Sequence, residues 1–181
     1  MSSRPPLNSP TPIVASLKKQ WNFCRPTTQR FNAWGFGVVA KRGSLDRIVS
    51  LLERGDIVVF PFDQFAAGAD GIDVEFFGEP VGTFKSLAVI ALATGAPVLP
   101  AACWREADGR HVLRFEPPVA AVDVDDVNQA ILRTTRAYNA ALERLIVRHP
   151  EQWWWVHRRW RRGRRKKGRK PPATDRAVKD S

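Results

Sequence analysis

Apolar positions recur at helical spacing in three parts of the chain and therefore predict three helices. These are residues 44–55, 81–94 and a long segment from 125 or 126 to 148. Ser44 is a suitable N-cap for the first, and Gly55 and Gly95 follow the first two as helix-ending residues. The third has one apolar face and one polar face, so we expect it to lie on a sheet.

Apolar runs between these segments predict strands. They occupy residues 35–41, 56–64, 71–80, 98–104 and 108–118. Segment 56–64 is expected to be buried, with Asp63 and Gln64 arriving at its carboxyl end, where open α/β sheets place ligand sites. Asp108 and Gly109 predict a hairpin turn between the last two strands. The pattern favours an α/β fold with a mixed, mostly parallel sheet flanked by helices.

Composition divides the 181 residues into one folded domain and two flanking segments. Residues 1–20 are rich in proline and serine and are predicted to be a disordered leader, residues 21–160 the domain, and residues 161–181 a disordered basic tail. Residues 157–170 contain ten Lys and Arg and no Asp or Glu, whereas residues 1–156 contain 17 basic and 16 acidic side chains. Residues 157–181 therefore account for ten of the eleven net positive charges.

The cysteine spacing gives no sign of a metal site, and the hydropathy gives no sign of a membrane-spanning segment. Cys24 and Cys103 are far apart and form no metal-ligand pattern, so they are predicted to be buried or unreactive thiols. No apolar run reaches the roughly 18–20 residues that span a bilayer. Membrane contact is accordingly predicted to be peripheral.

Four segments occur in a characteristic order: FPFDQ at 60–64, VEFFGEPVGT at 74–83, TGAPVLP at 94–100 and PEQWWWVHRRW at 150–160. In this order they resemble the lipid A biosynthesis acyltransferases, the bacterial lauroyl/myristoyl transferase family of the lysophospholipid acyltransferase superfamily. The resemblance runs from about Cys24 to Arg162 and corresponds to the carboxyl-terminal portion of a family member.

The resemblance implies an α/β fold and transfer of a fatty acyl chain to a glycolipid hydroxyl, as in lipid A biosynthesis. It implies no cofactor; the donor substrate would be an acyl carrier protein or coenzyme A thioester. The implied partners are this donor, an anionic glycolipid acceptor and an anionic membrane surface. The implied location is the cytoplasmic face of the bacterial inner membrane, with peripheral attachment in this form.

One departure from the family pattern concerns the catalytic base. Family members carry a His-x-x-x-x-Asp/Glu pair upstream of the segment that Arg25 matches, but this sequence has no histidine before His111. His111 and Glu116 have the same spacing, but they lie in a predicted strand, where an offset of five residues places side chains on opposite faces. We therefore expect a truncated acyltransferase-like domain, incomplete at its amino terminus, without its anchor or base.

Three polar side chains are candidates for the reaction centre by resemblance. Asp63, beside Gln64, is expected either to orient a catalytic or substrate group or to form an N-cap or Asx turn where the chain leaves the strand. Arg25 is either an anion-pairing arginine near the reaction centre or a solvated loop residue.

The remaining candidates lie in two family segments. Phe77, Gly78 and Thr83, together with Phe76 and Phe84, either line an apolar acyl or acceptor groove or form a core strand that ends at a glycine turn; the role of Lys85 is open. His157, Arg158 and Arg159 either grip the phosphate of an acceptor or begin the basic tail.

Two non-catalytic functions are alternatives. Tryptophans beside a polybasic segment are typical of peripheral membrane modules. The same residues could stack on bases and pair with phosphates, but the basic residues are not spread over the body and no nucleic-acid-binding motif is found, so nucleic acid is the less favoured partner.

Overall fold

The computed structural model describes residues 13–17, 37–40 and 43–160. The strands are β1 Ile13–Leu17, β2 Gly37–Ala40, β3 Val58–Val59, β4 Gly71–Phe76, β5 Glu79–Phe84, β6 Ala101–Arg105 and β7 His111–Phe115. The α-helices are α1 Leu45–Glu53, α2 Ser86–Thr94 and α3 Val127–Ile146. Short 3-10 turns occupy Gly68–Asp70, Pro150–Gln152 and Trp155–His157.

The described strands form three small sheets. Strands β2, β1 and β3 pair in parallel in that order, whereas β4 with β5 and β6 with β7 are antiparallel hairpins. A mixed α/β fold is confirmed, but the prediction of one mostly parallel sheet is wrong. Tight turns join both hairpins, and a tight turn can connect only antiparallel strands. Strand β1 lies within the stretch predicted to be a disordered leader, where an apolar run follows the last leader proline.

Segment 56–64 is not the buried strand that its composition suggested. Only Val58–Val59 is β-strand, and the segment is covered on one side. Val58 and Phe60 pack against the cluster of Val39, Ile48, Leu51 and Ile90, but Ile57 and Val59 are exposed. An alternating strand buries only one set of side chains when a single face is covered.

Residues 81–84, predicted as the first turn of a helix, instead belong to β5. Phe77 and Gly78 form the two-residue turn between β4 and β5, and both have positive φ, 50° and 78°. This geometry matches the twist of a hairpin and commits the following residues to pair with β4. Helix α2 therefore begins only at Ser86, and it ends at Gly95 in the left-handed conformation as predicted.

Helix α3 is the central element of the described fold and agrees with its prediction to within two residues at each end. Tyr138 packs with Leu87, Ala88 and Ala91 of α2, and Ile146 packs with Phe76 and Val81 of the β4–β5 hairpin. Val127, the first residue of α3, is exposed. Three polar residues of α3 are fully buried: Thr134, Thr135 and Asn139.

The N-terminus of α3 is capped by Asp126, whose carboxylate accepts hydrogen bonds from the backbone N–H groups of Asn128 and Gln129 at 2.8 and 3.2 Å. We expect Asp126→Ala to lower the free energy of unfolding by about 1 kcal/mol, because these donors lose their acceptor. Asp125→Ala removes an exposed carboxylate of equal charge one residue earlier and is the control. Equal urea midpoints for the two variants would contradict this role of the cap.

Two further sequence predictions concern cysteine and the membrane. Cys103 is a free thiol exposed on β6 and is therefore not buried, while Cys24 lies outside the described residues. Within residues 13–17, 37–40 and 43–160, no helix combines the length and apolar character needed to cross a bilayer.

Candidate functional site

Arg159 is a buried arginine whose side chain connects three distant parts of the chain. Only 1% of its surface is exposed. Its Nη1 donates to the carbonyl oxygens of Gln64 and, at 3.0 Å, Gly82. Its Nη2 donates to Thr83 Oγ1 at 2.9 Å and Asn139 Oδ1 at 3.1 Å. We call Gln64, Gly82, Thr83, Asn139 and Arg159 the arginine hub.

The charge of Arg159 is held inside the protein by this environment. The guanidinium carbon lies 5.0 Å from the centroid of the Phe76 ring, a cation–π arrangement. Burial lowers the pKa of Arg159 to about 10, and the nearby Asp63 carboxylate acts in the opposite direction. The guanidinium is therefore charged at neutral pH.

Thr83 and Asn139 complete the hub with their full polar capacity. The Thr83 hydroxyl donates to the Val81 carbonyl and accepts from both Asn139 and Arg159. The Asn139 amide donates to the Glu75 carbonyl at 2.9 Å and to Thr83 Oγ1 at 3.2 Å. Because buried polar groups are costly unless paired, these bonds of Thr83 and Asn139 favour one arrangement of their side chains.

Asn139 was not among the predicted site residues. It lies on the buried face of α3, near Thr135 and one turn before Glu143, on a stripe that is otherwise mostly apolar. The sequence signal that could have identified it is an amide side chain on the apolar face of an amphipathic helix. Such a buried polar group needs a hydrogen-bond partner.

Asp63 precedes the hub residue Gln64 in the chain, and both are half-buried. The backbone of this segment is held to β5: the Ala66 N–H donates to the Gly82 carbonyl at 3.0 Å, and Phe65 forms a bridge with Thr83. Arg159 contacts the same segment by donating to the Gln64 carbonyl, and it interacts electrostatically with Asp63. The position of the Asp63 carboxylate is thus tied to the carboxyl-terminal family segment.

Gln152 anchors the segment that leads to Arg159. Its amide oxygen accepts from the Arg105 N–H at 2.7 Å, and its amide nitrogen donates to the Arg105 carbonyl at 2.9 Å. The side chain therefore pairs with the edge of β6 as another strand would. His149 stacks on Trp104 of the same strand, with ring centroids 4.7 Å apart.

A patch of aromatic and aliphatic side chains surrounds the buried Phe76. Trp155 stacks on Trp160 with an interplanar angle of 10°, and Trp160 lies 6.4 Å from Phe77. These three rings are partly exposed, as are Trp154 and Val156 beside them. We call Phe77, Trp154, Trp155, Val156 and Trp160 the aromatic patch. Trp153 packs inward against Phe76 and belongs to the core.

The structure thus separates several residues that the sequence grouped together. Arg158 is exposed, with a left-handed backbone at φ 43°, whereas Arg159 faces inward, so the two do not form one phosphate-binding fork. Phe76 is buried at the end of β4 and Phe77 is exposed in the turn that follows, which matches the alternative of a core strand ending at a glycine turn. Gly78 forms the hairpin turn, and Thr83 is a hub residue.

Other candidates are placed less fully. Arg25 and the side chain of His157 lie outside the described residues. Lys85 is half-buried and precedes α2, its N–H bonded to the Asp70 carbonyl at 3.2 Å. Glu116 forms ion pairs with Arg114 at 2.9 Å and Arg148 at 3.0 Å, while His111 is exposed at the start of β7. Glu116 is therefore engaged by arginines, as expected if the pair is not a catalytic dyad.

Comparison with known proteins identifies the family. Residues 14–162 match the family model of the bacterial lipid A biosynthesis acyltransferases. The chain is 34% identical over 122 residues to the lipid A biosynthesis palmitoleoyltransferase of Escherichia coli K12, covering 66% of this chain and 38% of the relative. It is 27% identical over 144 residues to the lauroyltransferase of the same organism, covering 75% and 45%.

A mycobacterial relative has a different acceptor in its name. The phosphatidylinositol mannoside acyltransferase of Mycobacterium tuberculosis H37Rv is 28% identical over 125 residues, covering 69% of this chain and 34% of the relative. The chain therefore spans less than half the length of these curated relatives. The ordered motifs, now joined by the match over 14–162, confirm that this chain belongs to the bacterial lipid A biosynthesis acyltransferase family.

Proposed function

We propose that this chain takes part in the transfer of a fatty acyl chain from an acyl carrier protein or coenzyme A thioester to a hydroxyl of a glycolipid, lipid A or a related molecule. The observation that carries the proposal is the convergence of the family segments on the arginine hub. Gln64, Thr83 and Arg159 come from three separate motifs. The Arg159 guanidinium donates hydrogen bonds to the Gln64 carbonyl and to the Thr83 hydroxyl. Asp63, beside them, is the half-buried carboxylate closest in sequence to this junction.

In this proposal Asp63 orients a substrate group, and the arginine hub holds Asp63 in position. A carboxylate oxygen can accept a hydrogen bond from an acceptor hydroxyl. Exposed Arg158 supplies positive charge for a phosphorylated acceptor. The chain would act peripherally at the cytoplasmic face of the bacterial inner membrane.

The acyl-transfer step needs a base for the acceptor hydroxyl. Residues 1–110 contain no histidine and so no His-x-x-x-x-Asp/Glu pair. We therefore propose that the 181 residues bind a glycolipid acceptor but do not by themselves turn over a thioester.

Acceptor binding and thioester consumption test these two parts separately. We expect the purified chain to bind a phosphorylated glycolipid saturably, with Asp63→Asn weakening binding about tenfold because a charge-assisted hydrogen bond is lost. Release of free thiol from acyl-coenzyme A should equal that of a protein-free blank. The control is Asp73→Asn, an exposed carboxylate on β4 with the same charge change.

The outcomes distinguish the proposed lack of turnover from the proposed acceptor binding. Thiol release that depends on acceptor and on protein would contradict the proposed inactivity while supporting acyl transfer. Absence of both turnover and acceptor binding, or equal binding by the Asp63→Asn and Asp73→Asn proteins, would contradict the proposed role of the site.

A further inference from the structure

The aromatic patch exposes more apolar surface than a short surface segment normally does. Trp154 is 63% exposed and Val156 76%, and Trp155, Trp160 and Phe77 are partly exposed beside them. The Trp155 Nε1 group already donates to the Pro150 carbonyl at 2.6 Å, so its exposed ring has no unmet donor. Trp154 and Val156 flank Trp155 in sequence, and the rings of Trp155, Trp160 and Phe77 lie close together. Exposed apolar side chains grouped in this way mark interaction surfaces.

The patch is preformed because the space behind it is filled. Phe76 and Trp153 pack beneath Trp160, and the Arg159 guanidinium lies against the Phe76 ring. Residues 153–155 are held in a tight turn by a bond from the Trp155 N–H to the Trp153 carbonyl at 2.9 Å. The exposed rings therefore cannot turn inward to bury themselves, and a partner would meet them already ordered.

The charge around the patch complements an anionic surface. Arg158, between Val156 and Trp160 in sequence, is exposed. Residues 161–170 follow directly and contain eight Lys and Arg with no Asp or Glu. Tryptophan prefers the headgroup region of a bilayer, and each Lys or Arg near an anionic leaflet adds attraction.

The composition of the patch favours lipid over nucleic acid. Base stacking uses open ring faces, but one face of Trp155 is covered by Trp160. The most exposed member is Val156, which offers no ring and no hydrogen bond. An aliphatic side chain gains most by entering the acyl boundary of a bilayer.

We infer that Phe77, Trp154, Trp155, Val156 and Trp160 form a rigid membrane-docking surface that enters the headgroup region of an anionic bilayer. The choice of a lipid partner rests on the proposed function. The docking itself requires no acyl transfer and is tested without it.

The test measures binding of the full chain to vesicles of equimolar phosphatidylethanolamine and phosphatidylglycerol. We expect the double variant Trp154→Ser, Val156→Ser to bind about tenfold more weakly, because its most exposed apolar contacts are lost. The matched control is Leu113→Ser, Phe115→Ser on β7, where both side chains are 61% exposed and do not belong to the patch. The control should retain its affinity to within about twofold.

Acyl chains brominated near the headgroup add a depth measurement: they should quench the tryptophan fluorescence of the unaltered chain and quench the patch variant less. Equal vesicle affinities for the patch and control variants would overturn the inference and assign any binding to charge alone. Tighter binding to single-stranded DNA than to vesicles, weakened by Trp154→Ser, would overturn it in favour of nucleic acid. Vesicle binding without glycolipid binding would retain the docking surface and reject the proposed function.

Discussion

Arg159→Met is expected to lower the free energy of unfolding by about 3–5 kcal/mol, enough to unfold a domain of ordinary stability. Methionine fills much of the same volume but donates no hydrogen bond. The carbonyls of Gln64 and Gly82, Thr83 Oγ1 and Asn139 Oδ1 would all lose a charged donor inside the protein. The Gly82 carbonyl and Thr83 Oγ1 keep their bonds from Ala66 and Asn139, but the other two acceptors keep no donor among the described residues. Each buried acceptor left unpaired costs about 1–3 kcal/mol, which exceeds what is recovered by no longer burying a charge.

Arg158→Met is the matched control for this prediction. It removes the same side chain one residue earlier, where the guanidinium is exposed, and should change the unfolding free energy by no more than about 0.5 kcal/mol. Urea denaturation followed by tryptophan fluorescence measures both variants. Arg159→Lys should fall between them, since an ammonium keeps the charge but cannot reproduce the planar fork. Similar midpoints for the two methionine variants would show that the buried contacts of Arg159 do not stabilise the fold.

Gly82→Ala is the second prediction with a large expected effect. A Cβ atom at this position would lie 2.1 Å from the Ala66 carbonyl oxygen and 2.9 Å from Phe65 Cε2. The first neighbour is backbone held by its own hydrogen bond to β5, so it cannot rotate away. We expect a loss of about 3 kcal/mol or more in unfolding free energy, at the upper end for overpacking, because strand and segment must separate.

Gly78→Ala tests whether space or backbone conformation causes the effect. Gly78 has φ 78°, but a Cβ atom added there would meet nothing within 4 Å, so only the left-handed strain of about 1–2 kcal/mol applies. Thermal or urea unfolding should therefore rank Gly82→Ala well below Gly78→Ala in stability. The reverse ranking would show that β5 and residues 65–66 are not in close contact.

Arg159→Met and Gly82→Ala also bear on function, because both residues contact the segment that carries Asp63. Arg159 donates to the Gln64 carbonyl, and the Gly82 carbonyl accepts from the Ala66 N–H, so both residues hold the 63–66 segment. Milder changes at either position, such as Arg159→Lys, are expected to weaken acceptor binding through the position of the Asp63 carboxylate. Under the proposed function, the carboxyl-terminal motif is a positioning element for a residue about a hundred positions upstream.

Local periodicity predicted the elements whose stability is local. Helix α3 follows from an amphipathic repeat and an Asp cap, and the β6–β7 hairpin follows from alternation around Asp108-Gly109. Helix α2 was predicted too early, since apolar residues 81–84 fit either a helix or a strand. The hairpin turn at Phe77-Gly78 makes residues 81–84 pair with β4, so they form a strand.

The amino-acid sequence by itself determined the family, the amphipathic helix and the separation of a nearly neutral body from a basic tail, because motif order, periodicity and charge are properties of the chain alone. Only the tertiary structure decided that Arg159 faces inward while Arg158 and Trp154 face outward. In the irregular segment 150–160 no repeating pattern assigns a side to each residue. The inward side chains are those for which distant residues provide a partner: Asn139 and Thr83 for the arginine, and Phe76 for Trp153.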